Sequence, residues 1–411
     1  MSQIKSDLLR GARLTCLALL ATLAIAACTP LPPPCPPTPP AACPPSLPVA
    51  PLPSLLPAPG PEAPSFPPLE PVSWEEIDGW QEEDPTPALD VFREECQVLG
   101  ERARWRSACA AAADFRPADA AAARAFFEKR FLPQRVRKPD GSTTGLITGY
   151  YVPNLRGSRT QSDRYLWPVY AVPDDLLIID LRSVYPDLAN YRLRGRLEGR
   201  RVVPYYSREQ LDAGDYLAGK ELFWVDDPVE LFFMQIQGSG RIQLEDGSSA
   251  LVHYADQNGY PFRSIGKLLI ERGEMTRDQM SMQNIKAWAQ AHRDVTAKLL
   301  AENPSYVFFS ELPASVDRPY GALGVKLTAE RSLAVDPRTI PLGAPVFLDT
   351  TWPSSSKPPR RLMFAQDTGG AIKGPVRGDF YWGMGDEPGA YAGKMMQKGR
   401  FWVLLPFAGE P

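Results

Sequence analysis

The chain has 411 residues, 44% of them hydrophobic, enough to bury a sizeable core in two or three domains. Its 45 basic and 48 acidic residues leave a net charge of -3, which gives no electrostatic reason to expect a nucleic-acid partner. Only two histidines occur, His253 and His292, and no Cys/His cluster has zinc spacing, so no metal and no cofactor are expected.

The N-terminus reads as an export signal. Lys5, Arg10 and Arg13 precede an apolar stretch over residues 14–27, too short to span a bilayer comfortably. It ends in Ile25-Ala26-Ala27-Cys28, which resembles a bacterial lipobox. That resemblance implies cleavage of residues 1–27 and lipid attachment at Cys28; the competing reading is an ordinary secretory signal. Several acyl chains on one cysteine would anchor firmly, where one alone holds only marginally. Thr29, not Asp, follows, which by similarity to sorting rules favours the outer membrane of a Gram-negative cell, facing the periplasm.

Residues 28–72 form a proline-rich linker holding nearly half of the 45 prolines. Such a tract packs no core and is expected to be a semi-rigid spacer, on the order of 100 Å if fully extended. A proline-motif docking site is the alternative. Cys35 and Cys43 lie within it, and the sequence assigns them no role.

Residues 74–133 read as helical, with a break at Pro117 and Asp119 as a cap for AAAARAFFEKRF. Cys96 and Cys109 fall in this region, either as a disulfide in an oxidising compartment or as two buried thiols. From residue 143 the texture turns to short strands, with Tyr150, Tyr151, Val169, Tyr170 and Val172 in β-rich runs. Asp246-Gly247 between alternating residues signals a hairpin. Ser264 and Ser281 are expected to cap two helices, ending at Gly273 and near Asn303-Pro304. Strand character returns after Pro319, and no internal repeat is visible.

The chemistry concentrates in residues 366–383, QDTGGAIKGPVRGDFYWG. Asp367 and Asp379 bracket a glycine-rich turn, with Lys373 and Arg377 between them and Phe380, Tyr381 and Trp382 following. Two carboxylates at close range do not both ionise cheaply, so one can hold a proton near neutral pH. An aromatic neighbour can stack on a sugar ring and dry the site. These are parts from which a glycosidic oxygen is protonated.

That segment resembles the C-terminal barrel of the membrane-bound lytic murein transglycosylase A family, a domain named 3D for three aspartates and similar to barwin and expansin barrels. Asp336, in ERSLAVDPRTIPLG, would be the third aspartate. Further motifs follow in family order: ITGYYVPNLRG, MQIQGSGRIQLEDG, YADQNGYPFRSIGKLLIERGEM and NPSYVFF, so the resemblance covers residues 144–406. It implies an α+β fold, mainly β with helices. A double-psi β-barrel domain over residues 73–153 and 317–411 would carry an inserted β-rich domain over residues 154–316, with a groove between them.

The implied activity is cleavage of the β-1,4 bond between N-acetylmuramic acid and N-acetylglucosamine in peptidoglycan. The muramyl C6 hydroxyl attacks C1, giving a 1,6-anhydro end without consuming water. By position in KGPVRGD, Asp379 is the implied acid and base; otherwise it caps a turn. Asp367 either assists catalysis or holds the Gly369-Gly370 turn, and Asp336 before Pro337 reads as structural. Thr148, Gly149 and Tyr150, with Gln237, Gly238, Ser239 and Gly240, are candidate substrate-binding residues, or else a hinge and a strand-start turn. Tyr381 and Trp382 are candidates for sugar stacking, and Lys373 for a lactyl or peptide carboxylate; Tyr254, Tyr260 and Trp288 read first as core. The expected partners are glycan strands and, through Cys28, a membrane. A hydrolytic muramidase using Asp367 and Asp379, and an expansin-like protein that grips glycan without cleaving it, are the competing functions.

Overall fold

The structure, a computed structural model, describes residues 67–407. The export signal, Cys28 and the linker up to residue 66 lie outside the described residues. The linker nevertheless ends sooner than its composition suggests. Leu69–Pro71 is a strand paired antiparallel with Phe131–Val136, and Val72 donates its N–H to Pro133 O. Pro71 sits on a sheet edge, where its missing N–H costs no ladder bond.

Six strands close a barrel. In order around it run Met396–Pro406, Pro345–Asp349, Arg360–Asp367, Ser332–Val335, Arg377–Met384 and Gly145–Val152. The circle closes because Met396–Pro406 is 11 residues long. Its start pairs with Gly145–Val152, its middle with Pro345–Asp349, and its end with Phe131–Val136. Two pairings are parallel, Ser332–Val335 with Arg360–Asp367 and Arg377–Met384 with Gly145–Val152. Ser332–Val335 is buried along its whole length, as a central barrel strand should be.

Three helices, Thr86–Leu99, Arg106–Ala113 and Ala120–Arg130, cover one side of the barrel. Asp119 caps the last, accepting from Ala122 N–H at 2.8 Å. The helical reading overran at its C-terminal end, because β-branched and aromatic residues in Phe131–Val136 pair as a strand. Helix and barrel share one aromatic core. Phe92 stacks on Phe364, and Trp80 meets Phe347 edge-on. Each such side chain contributes roughly 1.5–3 kcal/mol by leaving water. Cys96 and Cys109 are joined by a disulfide with Cα atoms 5.3 Å apart, tying the first helix to the second.

The chain leaves the barrel at Val152 and enters a second, six-stranded sheet at Asn154. Its order is Val307–Glu311, Ser249–Gln257, Ser239–Leu244, Asn154–Ser158, Glu221–Val225, Trp167–Tyr170, and an Ala171–Phe309 bridge brings its two edges together. The Asp246-Gly247 turn makes the expected hairpin, with Gly247 at φ 82°. A short third sheet is built from Leu177–Ile178, Arg194–Glu198 and Arg201–Pro204. Ser264 and Ser281 cap helices as expected. The second helical stretch is interrupted at His292, giving Met282–Ala291 and Arg293–Ala301. Among the described residues no helix is long and apolar enough to cross a membrane.

Candidate active site

Ala334 lies between the two aspartates. On one side it pairs with Asp367, on the other with Asp379. Two strand spacings separate their backbones, about 9–10 Å. Alternation along Arg377–Met384 decides the facing of each residue. Phe380 and Trp382 enter the main core, while Tyr381 joins Tyr150, Ala334 and Ile372 in a smaller cluster on the face that Asp379 shares.

Asp379 faces Thr148 across the parallel pair. The Thr148 hydroxyl donates to Asp379 Oδ1 at 2.5 Å, and Arg377 donates to Thr148 Oγ1 at 2.9 Å. As a residue Asp379 is half-buried, but its carboxyl is packed in, and that burial raises its pKa to about 6. The Thr148 bond and the Arg377 charge oppose the rise, and Asp367 adds to it. Asp367 is also raised to about 6, again by burial, against three donors. Its Oδ1 accepts from the N–H groups of Thr368 at 2.9 Å and Ala322 at 3.1 Å, and its Oδ2 accepts from the Tyr150 hydroxyl at 3.1 Å.

Asp367 and Tyr150 open onto a cleft of about 590 Å³. Its opposite wall comes from the second sheet and its helices, including Gln237, Gly238 and Ser239. Gln237 Oε1 accepts from Tyr151 N–H at 3.0 Å, which ties helix Pro228–Gln237 to the barrel strand and leaves the amide NH2 for a ligand. Gly238 ends that helix at φ 84°, a left-handed position that suits glycine. A second pocket, of about 410 Å³, holds Lys373 and Arg377. Asp379 lies between the two: Thr148 links it to Arg377, while its neighbours Tyr150 and Asp367 line the cleft.

Several expected ligand residues are instead structural. Tyr381 is 1% exposed and packs on Tyr150, and Trp382, 6% exposed, lies between Trp352 and Tyr391. Stacking on sugar is therefore corrected for both, since neither ring face is free. Gly149 serves Trp382, because a Cβ there would lie 2.6 Å from the indole Nε1. Gly240 serves Met234, whose sulfur would lie 2.1 Å from an added Cβ. Neither glycine lines the cleft. Asp336 is fully occupied by Arg338 and the Gly374 N–H, which hold its carboxyl down at about 2. Trp288 stacks on His292 away from the cleft, and Tyr260 does not line it, but Tyr254 does.

Sequence reasoning missed Arg208. Its buried guanidinium donates to Asn303 O at 3.1 Å and Ser305 O at 2.7 Å, fixing the cleft floor. The NPS of NPSYVFF was the available signal for that floor. The aromatic rings that do border the cleft include Tyr151, Tyr254, Phe262 and Tyr320.

Comparison with known proteins matches this architecture. Residues 146–310 match the family described as the MltA specific insert domain, and residues 331–405 match the 3D domain. The chain is 36% identical over 273 residues to the membrane-bound lytic murein transglycosylase A of Escherichia coli K12, covering 64% of this chain and 67% of that protein. A crystal structure of the membrane-bound lytic murein transglycosylase from Agrobacterium tumefaciens superposes with TM-score 0.74 at 32% identity, covering 83% of this chain and 98% of that one. The E. coli MltA structure with bound chitohexaose gives TM-score 0.63 at 27% identity, covering 82% of this chain and 91% of that one.

Proposed function

We propose that this chain, which belongs to the membrane-bound lytic murein transglycosylase A family, cleaves glycan with Asp379 as its single acid and base. The chain is a peptidoglycan lytic transglycosylase. The E. coli relative holds chitohexaose, and we take the cleft beside Tyr150 and Asp367 as the glycan path here.

Asp379 begins protonated and gives its proton to the bridging oxygen as the muramyl C1–O bond breaks. The C6 hydroxyl of the same sugar then attacks C1 and returns its proton to Asp379. Proximity supplies the nucleophile, so no water is held or consumed. One observation carries this reading: a packed carboxyl, raised to about 6, with one oxygen already engaged by Thr148 and the other left for the substrate. Asp367 supports it by contrast. Both its oxygens accept hydrogen bonds from the protein, an arrangement suited to shaping the wall and not to nucleophilic attack.

Gln237 and Ser239 are assigned to sugar hydroxyl and N-acetyl groups, and Lys373 to an acidic group of the substrate. Lipid attachment at Cys28 is proposed to hold the chain at the outer membrane, with the proline linker giving reach across the periplasm. The test is product mass. Purified protein incubated with intact sacculi should release muropeptides one water lighter than lysozyme products. Ordinary reducing ends would replace the lyase reading with a hydrolytic one, and binding without release would replace it with a glycan-gripping one.

A further inference from the structure

The proton transfers proposed for Asp379 pass through none of the basic groups in the second pocket. Lys138, Lys373 and Arg377 line it, with Asp140 and Gly374. Lysine ion pairs among the described residues belong to Lys220, Lys267, Lys286 and Lys326, so neither Lys138 nor Lys373 is in a salt bridge. Arg377 donates to Thr148 Oγ1, Leu146 O and Gly378 O, none of them a carboxylate. Asp140 is turned to its own loop, accepting from the Ser142 N–H at 2.9 Å and hydroxyl at 2.7 Å.

Both lysines sit on pinned turns. Asp336 accepts from Gly374 N–H at 2.7 Å, which fixes the backbone next to Lys373. Lys138 N–H bonds Ser142 O at 2.9 Å, and Gly141 N–H returns to Lys138 O at 2.9 Å. Three basic groups share the pocket with one carboxylate, Asp140, while Asp379 acts on Arg377 from beside it, and the remaining excess of positive charge is a cost that a bound anion would relieve.

Position identifies the anion. Arg377 precedes Asp379 by two residues on the same strand face, roughly 6.6–6.8 Å away. A muramyl ring with C1 at Asp379 carries its acidic side arm on C3 of the same ring. That arm leaves within one ring width of the reacting bond, a length comparable to the separation of Arg377 from Asp379.

We propose that Lys138, Lys373 and Arg377 form a subsite for a carboxylate on the muramyl side arm, selecting acid-bearing glycan over neutral glycan. The proposal rests on Asp379 being the acid. It adds a coupling: neutralising Arg377 with the substrate's own carboxylate removes an influence that lowers the proton affinity of Asp379. The carboxylate can belong to a free lactyl group or to a stem peptide, and the chemistry is shared.

Binding by calorimetry to the full chain carrying Asp379→Asn tests this. Three hexasaccharides serve as probes: neutral chitohexaose, a peptide-free strand with free lactyl acids, and the same strand bearing stem peptides. Acid-bearing strands should bind roughly tenfold more tightly than chitohexaose at low salt, with the ratio shrinking at high salt. Lys138→Gln with Lys373→Gln should bring the ratio close to one, and Lys373→Arg should keep it. A preference already present in the peptide-free strand assigns the lactyl acid; one confined to the peptide-bearing strand assigns the stem. Equal binding of all three probes, or a ratio untouched by the paired glutamines, overturns the subsite. Cleavage of either acid-bearing strand by Asp379→Asn would instead overturn Asp379 as the acid.

Discussion

Thr148 delivers its single hydroxyl proton to Asp379 because Arg377 occupies the other side of the same oxygen. The two bonds, 2.5 Å and 2.9 Å, fix the direction of the hydroxyl. A hydroxyl has one proton to give. With Oδ1 of Asp379 accepting it, Oδ2 is the oxygen left to carry the proton that the proposed mechanism uses.

Replacing Thr148 by Val removes a donor that lowers the Asp379 pKa. The alkaline limb of the pH–rate profile should move up from about 6, and turnover should fall roughly tenfold as the carboxyl loses its orientation. Thr148→Ser should restore both. A limb that stays in place would show that the hydroxyl does not govern this proton.

Asp379→Asn should cut muropeptide release by about 10²–10⁴-fold. It also has a stability signature. The folded pKa of about 6 lies above the ordinary 3.8, so the contribution of this group is full below 3.8 and lost as pH rises through 6. Thermal melts at pH 4 and pH 7 should show the Asn variant gaining on the parent at the higher pH. Parallel curves would mean that the carboxyl is not desolvated.

Asp367→Asn should leave cleavage within roughly tenfold and the anhydro product unchanged, since an amide oxygen can still accept from the Ala322 and Thr368 N–H groups. A two-carboxylate mechanism requires a loss as deep as that at Asp379. Quantifying anhydro ends in the two variants side by side separates the cases.

Glu95 lies on helix Thr86–Leu99 with 0% exposure, and the polar side chain beside its carboxyl is Gln366, which only partly offsets the burial. Burial pushes its pKa well above 4.5, so stability should decline as pH climbs from there through the raised value. Urea unfolding from pH 5 to 9 should show a shallower decline for Glu95→Gln than for the parent. Equal slopes would place the side chain in contact with water.

Local chemistry made much of this molecule legible. Caps at Asp119, Ser264 and Ser281 and the Asp246-Gly247 hairpin depend on residues a few positions apart, and each appears where those residues predict. The Asp379 segment was legible because its motif is contiguous. The fate of Tyr381 and Trp382 was not, since adjacency to Asp379 in sequence does not say which rings stay open. Tyr150 and Trp352, distant in the chain, cover them. Arg208 was hidden for the same reason, because its carbonyl acceptors lie 95 and 97 residues onward.

The closing strand Met396–Pro406 completes the frame that holds Thr148 against Asp379. Thr148 and Asp379 are 231 residues apart, and the strand that carries Thr148 is paired on its far side with Met396–Gly399. Contacts of such long separation form late, after the loops between them have been ordered. Without this strand the chain would still carry both residues, but the barrel would stand open between Gly145–Val152 and Pro345–Asp349, and nothing would hold the hydroxyl and the carboxyl face to face.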